Sequence, residues 1–475
     1  MTVSEPLRAA PLTPFQKLGF LFLVVFLFLV HARIMDRFWY LHVPILTYWL
    51  AVAAAILTGG VPRVFSSRAG VFLVGMVAWM MVATPFSYWK GGSFETMKGM
   101  AKSFLMYVVI VGLTYTCRQC RQLMHTMAYA ATVLAIWTLL VGETKEGRIF
   151  LPYSRYANPN EMGLMMVIGL AFWWYIASDP GLRPLRRGLA VAGVAPILGV
   201  LARTGSRTAF IALAVLIVQL FIKASLTGKI KVGMVAVLTV VLAAAFLPGH
   251  LRERYFTLFS LGDVEEYGEP SSEQEQRTED LATSSAQARW FLLMESVRIT
   301  LEHPLLGAGP GMFPVAQDAD ASRRGERGMW GGTHNTYTEL SSENGLPALF
   351  LYLASLVCCF KLIRSLGKRG REAGSLLGAD LAHASFCLRV ALVAYSVGAF
   401  LTHLAYHMYF PVMAGLTVAW GLAAPAELTQ AVAGAESDAG GRAPARPPGA
   451  AFNGDRRPWR RPAFARQSSL KNSPR

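Results

Sequence analysis

Along most of the chain, apolar runs alternate with short polar connectors, and each run is longer than an amphipathic surface helix or a half-buried strand needs. Crossing about 30 Å of hydrocarbon takes roughly 20 apolar residues in a helix. Runs of that length, or nearly so with interfacial flanks, occupy 15–32, 38–58, 69–86, 101–116, 123–141 and 161–177, then 188–203, 206–224, 231–247, 345–364, 385–403 and 406–424. Backbone polar groups in lipid must be satisfied within the segment, so such runs predict helices. The expected protein is an all-α polytopic membrane protein with about twelve transmembrane helices. Its divisions are 1–247 with helices one to nine, 248–344 as one large loop, 345–424 with helices ten to twelve, and 425–475 as a tail.

Composition agrees, since 53% of the residues are hydrophobic and the mean hydropathy is +0.39. The formal charge of +16 changes the picture only through where it sits. Alternate short connectors carry Arg63 and Arg68, Arg118 and Arg121, Arg183, Arg186 and Arg187, Lys223, Lys229 and Lys231, and Lys361 through Arg371. That is the positive-inside pattern of a cytoplasmic face and not a nucleic-acid footprint. Both termini then fall in the cytoplasm, and the 248–344 loop lies outside, in the periplasm of a cell with two membranes. The first run has no small-residue cleavage site before the next, so it reads as an uncleaved span of an inner-membrane protein.

Five cysteines make no disulfide framework. Cys117 and Cys120 form a lone CxxC beside Arg118 and Arg121, which reads as a cytoplasmic turn and not a zinc site.

The outer loop divides in two. Residues 262–285, GDVEEYGEPSSEQEQRTEDLATSS, are acidic and poor in large apolar side chains, which predicts a mobile segment. Beyond it, Trp290, Leu293, Met294, Val297 and Leu301 recur at helical spacing until Gly307, Gly309, Pro310 and Gly311 end the pattern. An amphipathic helix lying on the membrane or capping the bundle is expected there. From Gly434 on, the tail is rich in Gly, Pro, Ala and Arg, so disorder and attraction to anionic membrane lipid are expected.

The residues able to carry chemistry gather at the outer rim. Arg207 follows TGS at a helix start, where backbone N–H groups and a guanidinium together make an anion site. Arg203, just before it, reads as a charge snorkelling to the interface. Arg289 opens the loop helix, and Arg298 faces roughly away from it as a solvated or lipid-facing charge. Arg155, Asn158 and Asn160 stand in LPYSRYANPNEMG, which an ordinary polar turn before a helix also explains. His334 is the sharpest candidate, because an imidazole near its ordinary pKa takes a proton from a hydroxyl at physiological pH. Asn335 is placed to orient it, and Glu343 follows one helical stretch later. Asp318 to Asp320 imitate a metal-nucleotide DxD but read as a solvated turn, and His403 and His407 lack a carboxylate to complete a metal site.

With these residues in view, the chain resembles the O-antigen ligase family, a group of membrane glycosyltransferases that includes O-antigen polymerases and protein O-oligosaccharyltransferases. The resemblance rests on RYANPNEMG, TGSRTAF, the stretch from Ala288 through ITLEHPLLGAGPGMF, and HNTYTELSSENGLPALFLYL, in that order over about residues 145–365. It implies a GT-C-like helical bundle that transfers an oligosaccharide or polysaccharide from an undecaprenyl pyrophosphate donor with inversion and without a metal or other cofactor. It also implies a lipid A-core, polysaccharide or protein hydroxyl as acceptor. His334 matches the family's essential loop histidine, and Arg207 and Arg289 match its donor-binding arginines. The alternative is a flippase or exporter of a lipid-linked glycan. Such a transporter should show internal repeats and polar groups near the bilayer midplane, whereas here the polar groups lie at the outer rim.

Overall fold

The computed structural model describes residues 12–145, 147–152, 158–179, 184–226 and 273–441, with short pieces between 228 and 249. Side chains are described from residue 287 onward in the helix that begins at Glu273, and to residue 430 in the last helix.

Helices dominate, and the sequence places their starts. The first is α1 (Pro14–Ala32), where Thr13 and Gln16 form a reciprocal capping box. After α2 (Val43–Leu57), Ser67 caps α3 (Arg68–Ala83), and α4 (Lys90–Leu113) follows. Thr116 and Gln119 repeat the capping box at α5 (Cys117–Val141). A small hairpin of β1 (Glu143–Lys145) and β2 (Arg148–Phe150) then precedes α6 (Pro159–Ala177), α7 (Pro184–Arg203) and α8 (Arg207–Lys223). The later helices are α9 (Glu273–Glu302), α10 (Phe313–Arg323), α11 (Thr336–Glu372), α12 (Leu376–Leu401) and α13 (Tyr409–Gly441). The described residues up to Val432 form one compact unit.

Among the described residues, nine helices are long and apolar enough to cross a membrane. Each of the nine, taken with its adjoining 3-10 turn, has at least 19 residues, whereas the apolar part of α7 is Gly188–Arg203 and α8 has 17 residues. The expected run at 231–247 lies largely outside the described residues, as does the tail beyond 441. α6 is buried along nearly its whole length and α13 from Tyr409 to Trp420, so these two form the middle of the bundle.

α11 holds the feature that positions the site. It breaks at Gly345, whose φ of 77° and ψ of 173° are not helical. A break leaves the last carbonyls of the first piece unpaired, and each costs several kcal/mol, by order of magnitude, if left so in hydrocarbon. The loop HPLLGAGPG and Trp79 of α3 supply the missing donors. Ala308 N–H donates to the Ser342 carbonyl (2.8 Å), Gly309 N–H to the Glu343 carbonyl (2.8 Å) and the Trp79 indole to the Asn344 carbonyl (3.0 Å). In return, Leu346 N–H donates to the Pro304 carbonyl (2.8 Å), and Pro347 has no N–H to satisfy. The fit needs glycine on both sides: a Cβ on Gly345 would overlap the Leu305 carbonyl, and one on Gly307 the backbone of Glu343.

Several expectations are corrected. α9 begins at Glu273, inside the acidic stretch expected to be mobile, because EQEQRTEDLA is made of good helix formers; residues 262–272 lie outside the described residues. Arg298 is not a solvated charge, since it pairs with Asp320 (2.7 Å), Glu295 (3.0 Å) and Glu302 (3.8 Å). Asp320 is accordingly no turn residue: it is buried on α10, where Arg323 also binds it, and its pair with Arg298 ties α10 to α9. Cys117 and Cys120 lie buried in the first turn of α5, not in an exposed turn.

Candidate functional site

α9 presents two faces. Leu292, Ser296, Ile299 and Thr300 are buried against the protein, and Thr300 Oγ1 lies 2.9 Å from Ser341 Oγ on α11. Trp290, Met294, Val297 and Leu301 form the opposite, exposed apolar stripe. The helix therefore caps the bundle with one face and offers the other outward. Arg289 lies one turn before Leu292, on the side that faces the bundle.

The segment Gly331–Asn335 runs between α9 and the connection that joins α12 to α13. Added Cβ atoms would come within 2.8 Å of Leu292 at Gly331 and 3.3 Å of the His403 ring at Gly332, so two glycines allow the chain through. Thr336 then fastens the segment: its hydroxyl donates to the Thr402 carbonyl (2.7 Å) and accepts from Leu404 N–H (2.9 Å). Asn335 caps α11, its side-chain oxygen accepting from Tyr337 N–H (2.9 Å) and Thr338 N–H (3.2 Å). That oxygen is occupied by the helix terminus and makes no bond to His334.

His334 itself sits at φ 52°, in the left-handed region that costs a residue with a Cβ. Its ring meets that of His403 edge to face, with centroids 5.3 Å apart. It is half-buried and makes no hydrogen bond among the described residues. Burial, then His403, then the Arg289 guanidinium push its pKa down to about 4. His403 is also pushed below the usual imidazole value, by burial first and Arg289 second. Both rings are neutral at physiological pH, and Arg289 acts on both. His403 was missed as part of this cluster because the sequence pairs it with His407, which instead lies 3.6 Å from Glu161.

Glu343 takes a different place from the one its position suggests. It is buried, and its carboxylate accepts from Gly311 N–H (2.8 Å), Phe313 N–H (3.1 Å) and the Tyr406 hydroxyl (2.5 Å). One turn earlier, buried Glu339 accepts from Ala405 N–H (3.0 Å). These carboxylates pin the α12–α13 connection and the GAGPG loop to α11, and so hold His403 beside His334. Tyr406 and Glu339 carry no sequence signal of their own beyond the ELSSENG spacing.

Arg207 is the first residue of α8, half-buried, behind a Ser206 cap that accepts from Ala209 N–H (3.2 Å). Arg203 is exposed at the end of α7. α8 ends at Lys223 beside His383, near the start of α12, so Arg207 stands toward the end where α12 finishes. Asn158 caps α6, its side chain accepting from Asn160 N–H (2.9 Å). Arg148 ties this corner together by donating to the Thr204 carbonyl (2.7 Å) and to Asn160 (2.8 Å). Arg155 lies outside the described residues.

Residues 192–353 match the family model described as O-antigen ligase. Over that stretch the chain is similar to the O-antigen ligase family. The O-antigen ligase match starts within α7 and ends in α11 just past its break, so Arg207, Arg289, His334, Asn335 and Glu343 fall inside it and His403 outside. No curated protein sequence matches the chain. Among solved structures, one chain from work described as "Structural coordination of polymerization and crosslinking by a peptidoglycan synthase complex" is similar at 14% identity and a TM-score of 0.41, over 74% of this chain and 96% of that one.

Proposed function

We propose that this O-antigen ligase-family membrane enzyme transfers an oligosaccharide or polysaccharide from undecaprenyl pyrophosphate to an acceptor hydroxyl at the periplasmic membrane face, with inversion and without a metal. The observation that carries the reading is a neutral imidazole, His334, held without a hydrogen-bond partner among the described residues and beside the cation Arg289.

The chemistry needs two things: a hydroxyl made more nucleophilic, and a leaving pyrophosphate whose growing charge is neutralised. His334 accepts the acceptor hydroxyl's proton as the oxygen attacks the anomeric carbon. The bond from that carbon to the pyrophosphate oxygen breaks on the opposite face, and its electron pair leaves with the pyrophosphate. Arg289 and Arg207 receive that charge in a site poor in water, where fixed cations are worth several kcal/mol, by order of magnitude. The lipid A-core, a polysaccharide or a protein supplies the acceptor hydroxyl. Both termini then lie in the cytoplasm, and the exposed apolar stripe of α9 rests on the outer leaflet, which sets the carrier's pyrophosphate at the depth of His334.

Purified protein given a lipid-linked donor is expected to transfer sugar in EDTA, and a metal requirement overturns the reading. In cells, substituting His334 should leave carrier-linked sugar accumulating on the outer leaflet; trapping on the inner leaflet points to a flippase instead. The glycan lost from the cell surface when the protein is removed identifies the acceptor.

A further inference from the structure

At the end of the bundle away from His334, a cavity of about 870 Å³ opens between α6, α8, α11 and α12. Its walls follow helix spacing. Phe360, Arg364, Gly367 and Arg371 form one stripe of α11, and Ala382, Ser385, Phe386 and Arg389 one stripe of α12. Three helices thus send four cations to one space: Lys223 from α8, Arg364 and Arg371 from α11, and Arg389 from α12. None of the four makes an ion pair among the described residues, although Lys368 on the same helix end pairs with Glu372 at 3.8 Å and Arg121 nearby pairs with Asp380 at 2.6 Å. Ser385 adds a buried hydroxyl, 3% exposed, with no hydrogen-bond partner among the described residues.

Positive charge alone at this end is what topology requires, and it needs no cavity. Convergence on one space does. Trp174, Leu220, Phe360 and Phe386 make the remaining wall apolar, and Phe221, Ile222 and Val357 continue an exposed apolar surface along α8 and α11. A soluble anion would use the cations and leave the apolar wall unmatched. We propose that this cavity seats the phosphate headgroup of an anionic lipid from the adjacent leaflet, with Arg364, Arg371, Arg389 and Lys223 around the phosphate, Ser385 donating to it, and the acyl chains along the aromatic wall. The assignment does not depend on the transfer reaction.

The test is native mass spectrometry of the full-length protein with phosphatidylglycerol, phosphatidylcholine and inorganic phosphate. Phosphatidylglycerol should be retained, and the triple variant Arg364→Gln, Arg371→Gln, Arg389→Gln should bind it at least tenfold more weakly. Arg364→Gln alone, at an exposed position that does not disturb folding, should weaken it about threefold. The control Lys368→Gln with Arg369→Gln removes charge from the same helix end outside the cavity and should leave retention unchanged. Equal loss in the control, equal retention of phosphatidylcholine, or inorganic phosphate bound as tightly as the lipid overturns the proposal.

Discussion

The imidazoles of His334 and His403 stand edge to face 5.3 Å apart, one contributed by the loop before α11 and the other by the connection after α12. Neither element alone makes the pair. It exists because Glu339 and Thr336 on α11 bind the backbone of residues 402–405, while Gly332 leaves room for the second ring. Under the proposed function, two neutral rings beside one guanidinium would accept a proton from a hydroxyl without first having to lose one of their own.

The pH dependence of kcat/KM should report this. The pKa of His334 is lowered from 6.5 to about 4, so the base form is present above that value and is lost only as the pH falls through it. The acid limb of the profile is therefore expected well below 6.5. An acid limb at or above the ordinary imidazole value would remove His334 as the base.

Arg289 lowers the pKa of His334, so removing it must move that limb. In Arg289→Ala the loss of a nearby positive charge raises the imidazole pKa, and the acid limb shifts to higher pH. The same variant should lose about 10²-fold in rate through the unneutralised leaving group. Arg289→Lys keeps the charge and should keep the limb in place. A limb that stays put in the alanine variant shows that the two groups do not interact.

Much of this arrangement was legible in the sequence, for identifiable reasons. The spans follow from apolar runs, and the start of α8 follows from the TGS that precedes Arg207, with Ser206 as its cap. His334 stood out because its loop is polar and the helix after it is not. The break at Gly345 was not legible. NGLP reads as the start of a membrane helix, and only the distant HPLLGAGPG loop, folded against it, shows that the helix had already begun at Thr336. The pairing of Glu343 with Gly311, Phe313 and Tyr406 was hidden for the same reason: a carboxylate that satisfies backbone N–H groups from another segment leaves no periodicity to find. His403 was set aside for want of a neighbouring carboxylate, a test suited to a metal site and not to an imidazole pair.

Substituting His334 separates chemistry from fold. Its backbone lies at φ 52°, a region that Asn tolerates better than Ala does. His334→Asn is therefore expected to keep the loop and its thermal stability in detergent while losing about 10²–10⁴-fold in transfer rate, the usual worth of a positioned base. Turnover near that of the unsubstituted protein would remove the residue from the mechanism.

The helix break makes the last prediction. At Gly345 a Cβ would overlap the Leu305 carbonyl, and φ 77° is costly for any residue that carries one. Gly345→Ala must then either straighten α11 or push the HPLLGAGPG loop away. Both outcomes strip the Ser342 and Glu343 carbonyls of the N–H donors from Ala308 and Gly309. The expected cost is several kcal/mol, by order of magnitude, since strain and unsatisfied backbone groups add. It should appear as a lower midpoint in a thermal-shift assay of purified protein. Transfer should fall as well, because the break sets where Glu339 and Glu343 hold the connection carrying His403. Gly99→Ala is the matched control: it lies within α4, where a Cβ meets nothing within 4 Å, and should be neutral or stabilising by about 0.5–1 kcal/mol. Equal midpoints for the two variants would mean that α11 does not need its break.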